Sequence, residues 1–363
     1  MPRIDSFLKL GLAQGCSDVH LAVGVPPMLR MHGDLMPIKF RDLSDSELEN
    51  YVMEILTDSQ KAHFGSGHDL DFSYVGEEGG RFRVNLFRKD TGVGAVFRHI
   101  PNEVPTLEKL QVPPVIRDFC DYHQGMVLVT GSTGTGKSTT LAAMIDYLNK
   151  TRSLNIISLE DPIEFVHPSK NCQVIQRELG THLTSFADGV RSAMREDPDV
   201  VLVGELRDAA TISMAMTAAE TGHLVLGTLH TTSAVKTIDR VIDALPGDLR
   251  EQTKSFLAQS LKAVVTQVLV KTPDGRGRKA VLEILINNRA ISKLIMSDQS
   301  HQIPAQLQTG RDVGMQLMDQ ALLAAIEANE VDPDDAFRYA NDKKAFKRFV
   351  TDTGILPTLD IEE

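Results

Sequence analysis

The chain has 363 residues, 42% hydrophobic and 24% charged, enough apolar material for ordinary globular cores and, by length, for two domains. A formal net charge of −11 without any run of Lys or Arg excludes a general grip on nucleic-acid phosphates. Cys16, Cys120 and Cys172 stand far apart with no C-x-x-C pair, which predicts small buried residues in a reducing compartment rather than a zinc site or disulfide frame.

The start, Met-Pro-Arg-Ile-Asp, lacks a signal peptide's charged and apolar regions, and no apolar stretch is long enough to span a bilayer. The expectation is a cytoplasmic protein whose membrane connection runs through a partner. Residues 1–100 read as a mixed α/β domain. A short helix is expected over Ile4 to Ala13 and a strand over Asp18 to Ala22, followed by a hairpin from Met28 to Ile38 turning at His32-Gly33-Asp34. Ser44-Asp-Ser-Glu47 has the pattern of a capping box for a helix reaching Leu56. Alternation predicts strands over Asp69 to Tyr74 and Arg81 to Arg88 around a Gly-Glu-Glu-Gly-Gly turn, with a last strand over Gly94 to Arg98. Prolines punctuate residues 101–114 and predict an extended linker.

From 115 to 288, strand-like runs alternate with helical ones, the mark of βαβ units and a mostly parallel sheet. Strands are expected over 126–130, 154–159, 200–203 and 224–229. The first runs into Gly131, Ser132, Thr133, Gly134, Thr135, Gly136, Lys137, Ser138 and Thr139, which satisfy G-x-x-x-x-G-K-[ST] in full between a strand and a helix. Glycines let backbone N–H groups curl round a phosphate, and the helix N-terminus adds partial positive charge. Lys137 would bridge the β- and γ-phosphates of ATP and the Ser138 hydroxyl would hold Mg²⁺. Ser185 to Asp188 caps one later helix, and Asp208 through Glu220 forms another. Ala280 to Ile286 reads as a strand, and residues 289–363 as a helical region in which Asp332-Pro opens a late helix and Asp360 to Glu363 frays.

Hydrolysis needs an acid beside the γ-phosphate. Asp199-Val-Val-Leu-Val-Gly-Glu205 places Glu205 at the C-terminal end of a buried strand, where ligands gather in open α/β sheets. Glu205 would orient or deprotonate the attacking water. In Leu159-Glu160-Asp161-Pro162-Ile163-Glu164, paired carboxylates reach Mg²⁺ or its waters, Glu160 before Glu164; the alternative is a charged turn capped by Pro162. His223 and His230 bracket an apolar strand, too far apart to share a metal, and His230 at the C-terminal end is placed to touch the γ-phosphate or Glu205. Arginines from outside the pocket would complete the site; Arg81, Arg83 and Arg98 lie on N-domain strands, while Arg195 and Arg207 flank Glu205.

Together these motifs resemble the secretion ATPase superfamily of type II secretion and type IV pili, most closely its pilus-retraction branch. The resemblance runs from Gly15-Cys-Ser-Asp-Val-His-Leu21 to Met315-Gln-Leu-Met-Asp-Gln320 and includes the P-loop, the acidic box at 159–164, Gly204-Glu205-Leu-Arg-Asp208 and Leu229-His-Thr-Thr-Ser233. It implies a PAS-like N-terminal domain, a RecA-like ATPase domain with a C-terminal helical region, and a homohexamer with ATP between domains. It further implies catalytic roles for Lys137, Glu160, Glu205 and His230, arginine fingers among Arg81, Arg83 and Arg98, and an inner-membrane platform protein as partner.

Extension and secretion relatives carry an extra N-terminal domain and a four-cysteine zinc module, neither of which is present, so the retraction branch is expected. The retraction branch also carries Ala-Ile-Arg-x-Leu-Ile-Arg-Glu, which here reads Ala290-Ile-Ser-Lys-Leu-Ile-Met-Ser297. That difference keeps open an accessory or altered-function paralogue. A nucleotide-gated interaction ring with little hydrolysis is the alternative of another class.

Overall fold

The computed structural model describes residues 2–31, 34–77, 80–100, 103–352 and 354. It divides into two units, Met1–Glu103 with Pro162–Val166, and Val104–Asp161 with His167–Glu363.

The first unit is built on six strands: β1 (Asp18–Ala22), β2 (Met28–Met31), β3 (Asp34–Pro37), β4 (Leu70–Val75), β5 (Arg81–Lys89) and β6 (Gly92–Ile100). They order β3-β2-β1-β6-β5-β4 and every pairing is antiparallel. Alternation on β5 sends Phe82, Val84 and Leu86 inward and leaves Arg81 and Arg83 on the other face. Helices α1 (Asp5–Gln14), α2 (Asp45–Met53) and α3 (Asp58–Gly65) share that core through Leu8, Leu48, Val52 and Phe64. Each such fully buried side chain contributes on the order of 1.5–3 kcal/mol.

The second unit holds a seven-stranded sheet: β7 (Gly125–Thr130), β8 (Asn155–Glu160), β9 (Gln173–Glu178), β10 (Val200–Val203), β11 (Leu224–Leu229), β12 (Leu261–Lys271) and β13 (Arg278–Ile286). The order is β13-β12-β7-β11-β10-β8-β9, parallel throughout except for β13 at one edge. The helices of this unit are α4 (Val115–Asp118), α5 (Lys137–Thr151), α6 (Phe186–Ala193), α7 (Ala209–Glu220), α8 (Ala234–Ala244), α9 (Arg250–Ser260), α10 (Arg289–Met296), α11 (Ile303–Thr309), α12 (Met318–Glu327), α13 (Pro333–Tyr339) and α14 (Lys343–Phe346). β7, β10 and β11 are buried at every residue, as a sheet covered on both faces requires.

Ser185 caps α6 as expected, and Asp208, expected as the first residue of α7, stands just before it as its cap, each side chain accepting from the backbone N–H three residues on. Ser44 makes no such side-chain bond. Glu47, the expected reciprocal partner, is taken by Arg41 and Tyr51, which hold its carboxyl down at about 2. The helix ends at Met53, and the capping box belongs instead to Thr57 and Gln60 at the start of α3. The hairpin turn at His32-Gly33, the tip at Glu78-Gly79 and the tail from Asp360 lie outside the described residues.

Candidate nucleotide-binding site

β7 pairs with β11 on one side and β12 on the other, so the chain leaves the middle of the sheet at Thr130 and turns at once into the P-loop. Gly131, Gly134 and Gly136 have φ of +141°, +80° and +85°, a backbone region that side chains with a Cβ rarely adopt. α5 begins at Lys137, and its first turn leaves N–H groups without intrahelical partners facing the loop. Lys137 is buried, its Nζ donating to the carbonyls of Gly131 at 2.8 Å and Ser132 at 3.0 Å. Ser132, Thr133 and Gly134 form the exposed crest, while Ser138 and Thr139 are half-buried on the first helical turn. Thr139 also borders a cavity of about 400 Å³ lined by Lys109, Gln267, Leu269, Arg278 and Lys279. A Cβ-free loop, a helix N-terminus and a lysine at its centre fit a polyphosphate.

β8 and β10 are parallel neighbours in register, Leu159 opposite Val203, so Glu160 and Glu205 leave the same edge of the sheet side by side. Gly204 is pressed between them. Its N–H donates to the Leu159 carbonyl at 2.7 Å, and a Cβ added there would stand 3.0 Å from that oxygen and 3.3 Å from the Glu160 Cα. A side chain at this position would crowd the β8 backbone, which would have to give by a few tenths of an ångström. Glu160 accepts from Ser158 at 2.7 Å and from Gln176 of β9 at 3.0 Å. Glu164 lies in the segment Pro162–Val166 of the first unit, so only Glu160 and Asp161 of the acidic box remain with the P-loop unit.

Glu205 sits between two cationic or proton-bearing groups. Arg207 reaches its Oε2 at 2.6 Å and His230 Nε2 its Oε1 at 3.1 Å, with Asp161 3.9 Å from Arg207. Burial works to raise the Glu205 carboxyl, but Arg207 and then His230 outweigh it and hold it below the usual carboxylate range. The Thr228 hydroxyl of β11 donates to the Gly204 carbonyl, and Leu206 N–H donates to the Thr228 carbonyl at 3.0 Å, fixing the turn that carries Glu205. His230 follows the last residue of β11 and is exposed. His223 precedes the first, where its Nδ1–H donates to the Ala218 carbonyl at 2.8 Å and closes the end of α7, a structural role.

Arg81, Arg83 and Arg98 lie on β5 and β6 of the first unit. Arg83 is paired with Asp71 at 2.6 Å and Arg98, through Nε, with the buried Asp18 at 2.8 Å. Arg207 is the neighbour of Glu205 whose contact the sequence left unspecified; its place two residues after the acid was the available signal. Gln267 and Thr228, both in apolar strands, were missed altogether. Among the described residues no three His, Cys, Asp or Glu side chains gather as a metal site. The Ser138 hydroxyl and Glu160 carboxylate are hard oxygen donors suited to Mg²⁺ when phosphate oxygens supply the remaining ligands.

A parallel sheet with a complete P-loop at the C-terminal end of a central strand, and an acid two strands away, defines a P-loop nucleotide-binding protein. More particularly, the chain belongs to the Type II/IV secretion system protein family, whose model matches residues 74–333, and within it resembles PilT. It is 49% identical over 342 residues to the "Twitching motility protein" of Neisseria gonorrhoeae, covering 94% of this chain and 91% of the relative. It is 48% identical over 319 residues to the "Type IV pilus retractation ATPase PilT" of Pseudomonas aeruginosa, covering 88% and 92%. The crystal structure of the pilus retraction motor PilT with bound ADP superposes with a TM-score of 0.89 at 39% identity, over 95% of this chain and 99% of that one.

Proposed function

We propose that this chain is a Mg²⁺-dependent ATPase motor that powers type IV pilus retraction and twitching motility. The observation that carries the reading is Glu205, held at the end of β10 by His230 and Arg207 on the same sheet edge as the P-loop. It is supported by the retraction and twitching names of relatives that match nearly the whole chain.

The P-loop N–H groups from Gly131 to Thr139 and Lys137 bind the ATP phosphates, and the 400 Å³ cavity beside Thr139 receives the nucleoside. Ser138 and Glu160 would hold Mg²⁺, which when bound would neutralise charge on the phosphate oxygens. Glu205 orients the attacking water and accepts its proton. His230, bonded to the same carboxylate, reports the state of the γ-phosphate to the segment that follows it. The protein works as a cytoplasmic homohexamer docked on an inner-membrane platform protein, with Arg81, Arg83 and Arg98 offered as fingers to a neighbouring subunit's nucleotide. Among the described residues no helix is long and apolar enough to cross a membrane.

An accessory or altered motor is the second reading, favoured by α10. Ser292 donates to the Ala258 carbonyl at 2.6 Å, Met296 is exposed, and Ser297 closes back on Lys293, so no arginine or glutamate projects from this helix where the retraction branch carries them. Deleting the gene and counting pili decides. Surplus pili that do not retract support the motor of retraction; absent pili point to assembly, and unchanged pili with near-normal twitching to an accessory role.

A further inference from the structure

β12 outruns β7. Their pairing ends at Thr266 opposite Thr130, so the next residue, Gln267, keeps Leu282 of β13 on one side and has the P-loop on the side where β7 has stopped. Gln267 is 1% exposed, on a stretch that apart from Thr266 is apolar: Val264, Val265, Val268, Leu269 and Val270. A buried amide in such a strand is unfavourable unless both of its ends are hydrogen-bonded. Both are. Its Nε2 donates to the Thr135 carbonyl at 2.6 Å, and its Oε1 accepts from the Thr140 hydroxyl at 2.8 Å. A carbonyl only accepts, so the orientation of the amide is fixed by chemistry. Thr140 is itself 1% exposed, on the first turn of α5, where its N–H closes on the Gly136 carbonyl at 3.0 Å.

The loop is moulded against the same residue at two further points. A Cβ on Gly131 would lie 2.4 Å from the Gln267 carbonyl oxygen, and one on Gly136 would lie 2.9 Å from its Nε2. Gln267 thus meets the P-loop at its first glycine, at the residue before its last glycine, at that last glycine, and at the helix turn beyond. One amide joins the loop at Thr135 to the helix at Thr140.

We propose that Gln267 is a positioning residue for nucleotide: it holds the P-loop backbone and the first turn of α5 in the spacing that a polyphosphate needs, through Thr135 and Thr140. This rests on the ATP-binding reading above. Because the brace acts on the cradle and not on the attacking water, its loss removes binding shared by substrate and transition state, which raises KM more than it lowers kcat.

The test uses the full chain with Gln267→Met, which keeps the length and removes both bonds, together with Thr140→Val and Thr140→Ser. The probe is a fluorescent ADP derivative, followed by ATP turnover and melting of the nucleotide-free protein. Gln267→Met should weaken ADP binding and raise the KM for ATP by about tenfold, the scale of a lost buried hydrogen bond. Its kcat should stay within about threefold of wild type. Thr140→Val should reproduce part of the loss, Thr140→Ser should restore it, and the combined Gln267→Met, Thr140→Val protein should be no worse than Gln267→Met alone, since both break one linkage. ADP affinity unchanged in Gln267→Met overturns the proposal, as does a loss that only follows a lowered melting temperature. If Gln267→Met fails to fold, the Thr140→Val and Thr140→Ser pair decides, equal affinities in the two overturning it. Wild-type protein that does not bind the probe removes the ATP-binding reading itself, a different failure.

Discussion

In the proposed reaction Glu205 is the base, and its surroundings set what a substitution does. It is bound on one oxygen by Arg207 and on the other by His230. Glu205→Gln keeps the shape and a hydrogen-bonding oxygen but loses the base, so ATP binding should persist while turnover falls by on the order of 10²-fold or more. Phosphate release and a labelled-ATP filter assay on the same preparation check both halves; full turnover would remove the role. Arg98 calls for a gentler change than alanine, because Asp18 beneath it is 4% exposed and would be left buried without its partner. His167 gives a separate, pH-dependent prediction. Burial pushes its imidazole down to about 4, against a smaller opposing pull from Asp146. Between about 6.5 and that value the unfolded chain binds a proton the folded chain refuses, so stability is intact above the window and lost as pH falls through it, by up to about 1.4 kcal/mol per pH unit. Denaturant unfolding at pH 7 and pH 5 should show a smaller acid loss in His167→Gln than in wild type; equal losses would mean His167 is already charged when folded.

At the scale of elements, the strands that end in chemistry were legible because burial on both faces makes them short, continuous and apolar. Val200 to Val203 and Leu224 to Leu229 are read off as written. β9 was not: Gln-Val-Ile-Gln-Arg-Glu is an edge strand, half exposed, with polar residues on both faces. β12 was missed for another reason. α9 runs into it at Ser260 with no glycine or proline between, so periodicity alone does not mark where helix becomes strand. With β12 hidden, Gln267 was hidden too. The P-loop, Glu160, Glu205 and His230 needed only local pattern, whereas the contact that braces the P-loop joins Thr140 to Gln267, 127 residues further on. α10 is the element whose sequence departs from the retraction branch. Its apolar frame, Ile291 and Ile295, is buried, while positions 292, 296 and 297 are not needed for that core. Restoring Met296→Arg and Ser297→Glu on the exposed face, with Ser292→Arg giving up the bond to the Ala258 carbonyl, should leave ATP turnover within about twofold, since none of the three touches the P-loop or Glu205. Twitching then reports the helix: an increase in a complemented deletion strain assigns these positions to force output, and no change makes the segment neutral.

For the whole molecule, the two units carry different parts of the account. The six-stranded unit holds the arginines, and the seven-stranded unit holds the P-loop, the acid and the histidine. The family match spans both, beginning on β4 and ending in α13. If the arginines act between subunits, Arg83→Ala chains mixed with Glu205→Gln chains should recover turnover that neither has alone, since one mixed interface then has an intact acid facing an intact arginine. The most direct measurement is Mg²⁺-dependent phosphate release from ATP by the purified full chain beside Lys137→Ala. The account predicts steady turnover by the wild type, abolished by chelating the metal and by Lys137→Ala. Turnover that survives Lys137→Ala, or a wild-type chain that releases no phosphate with ATP and magnesium present, would contradict it.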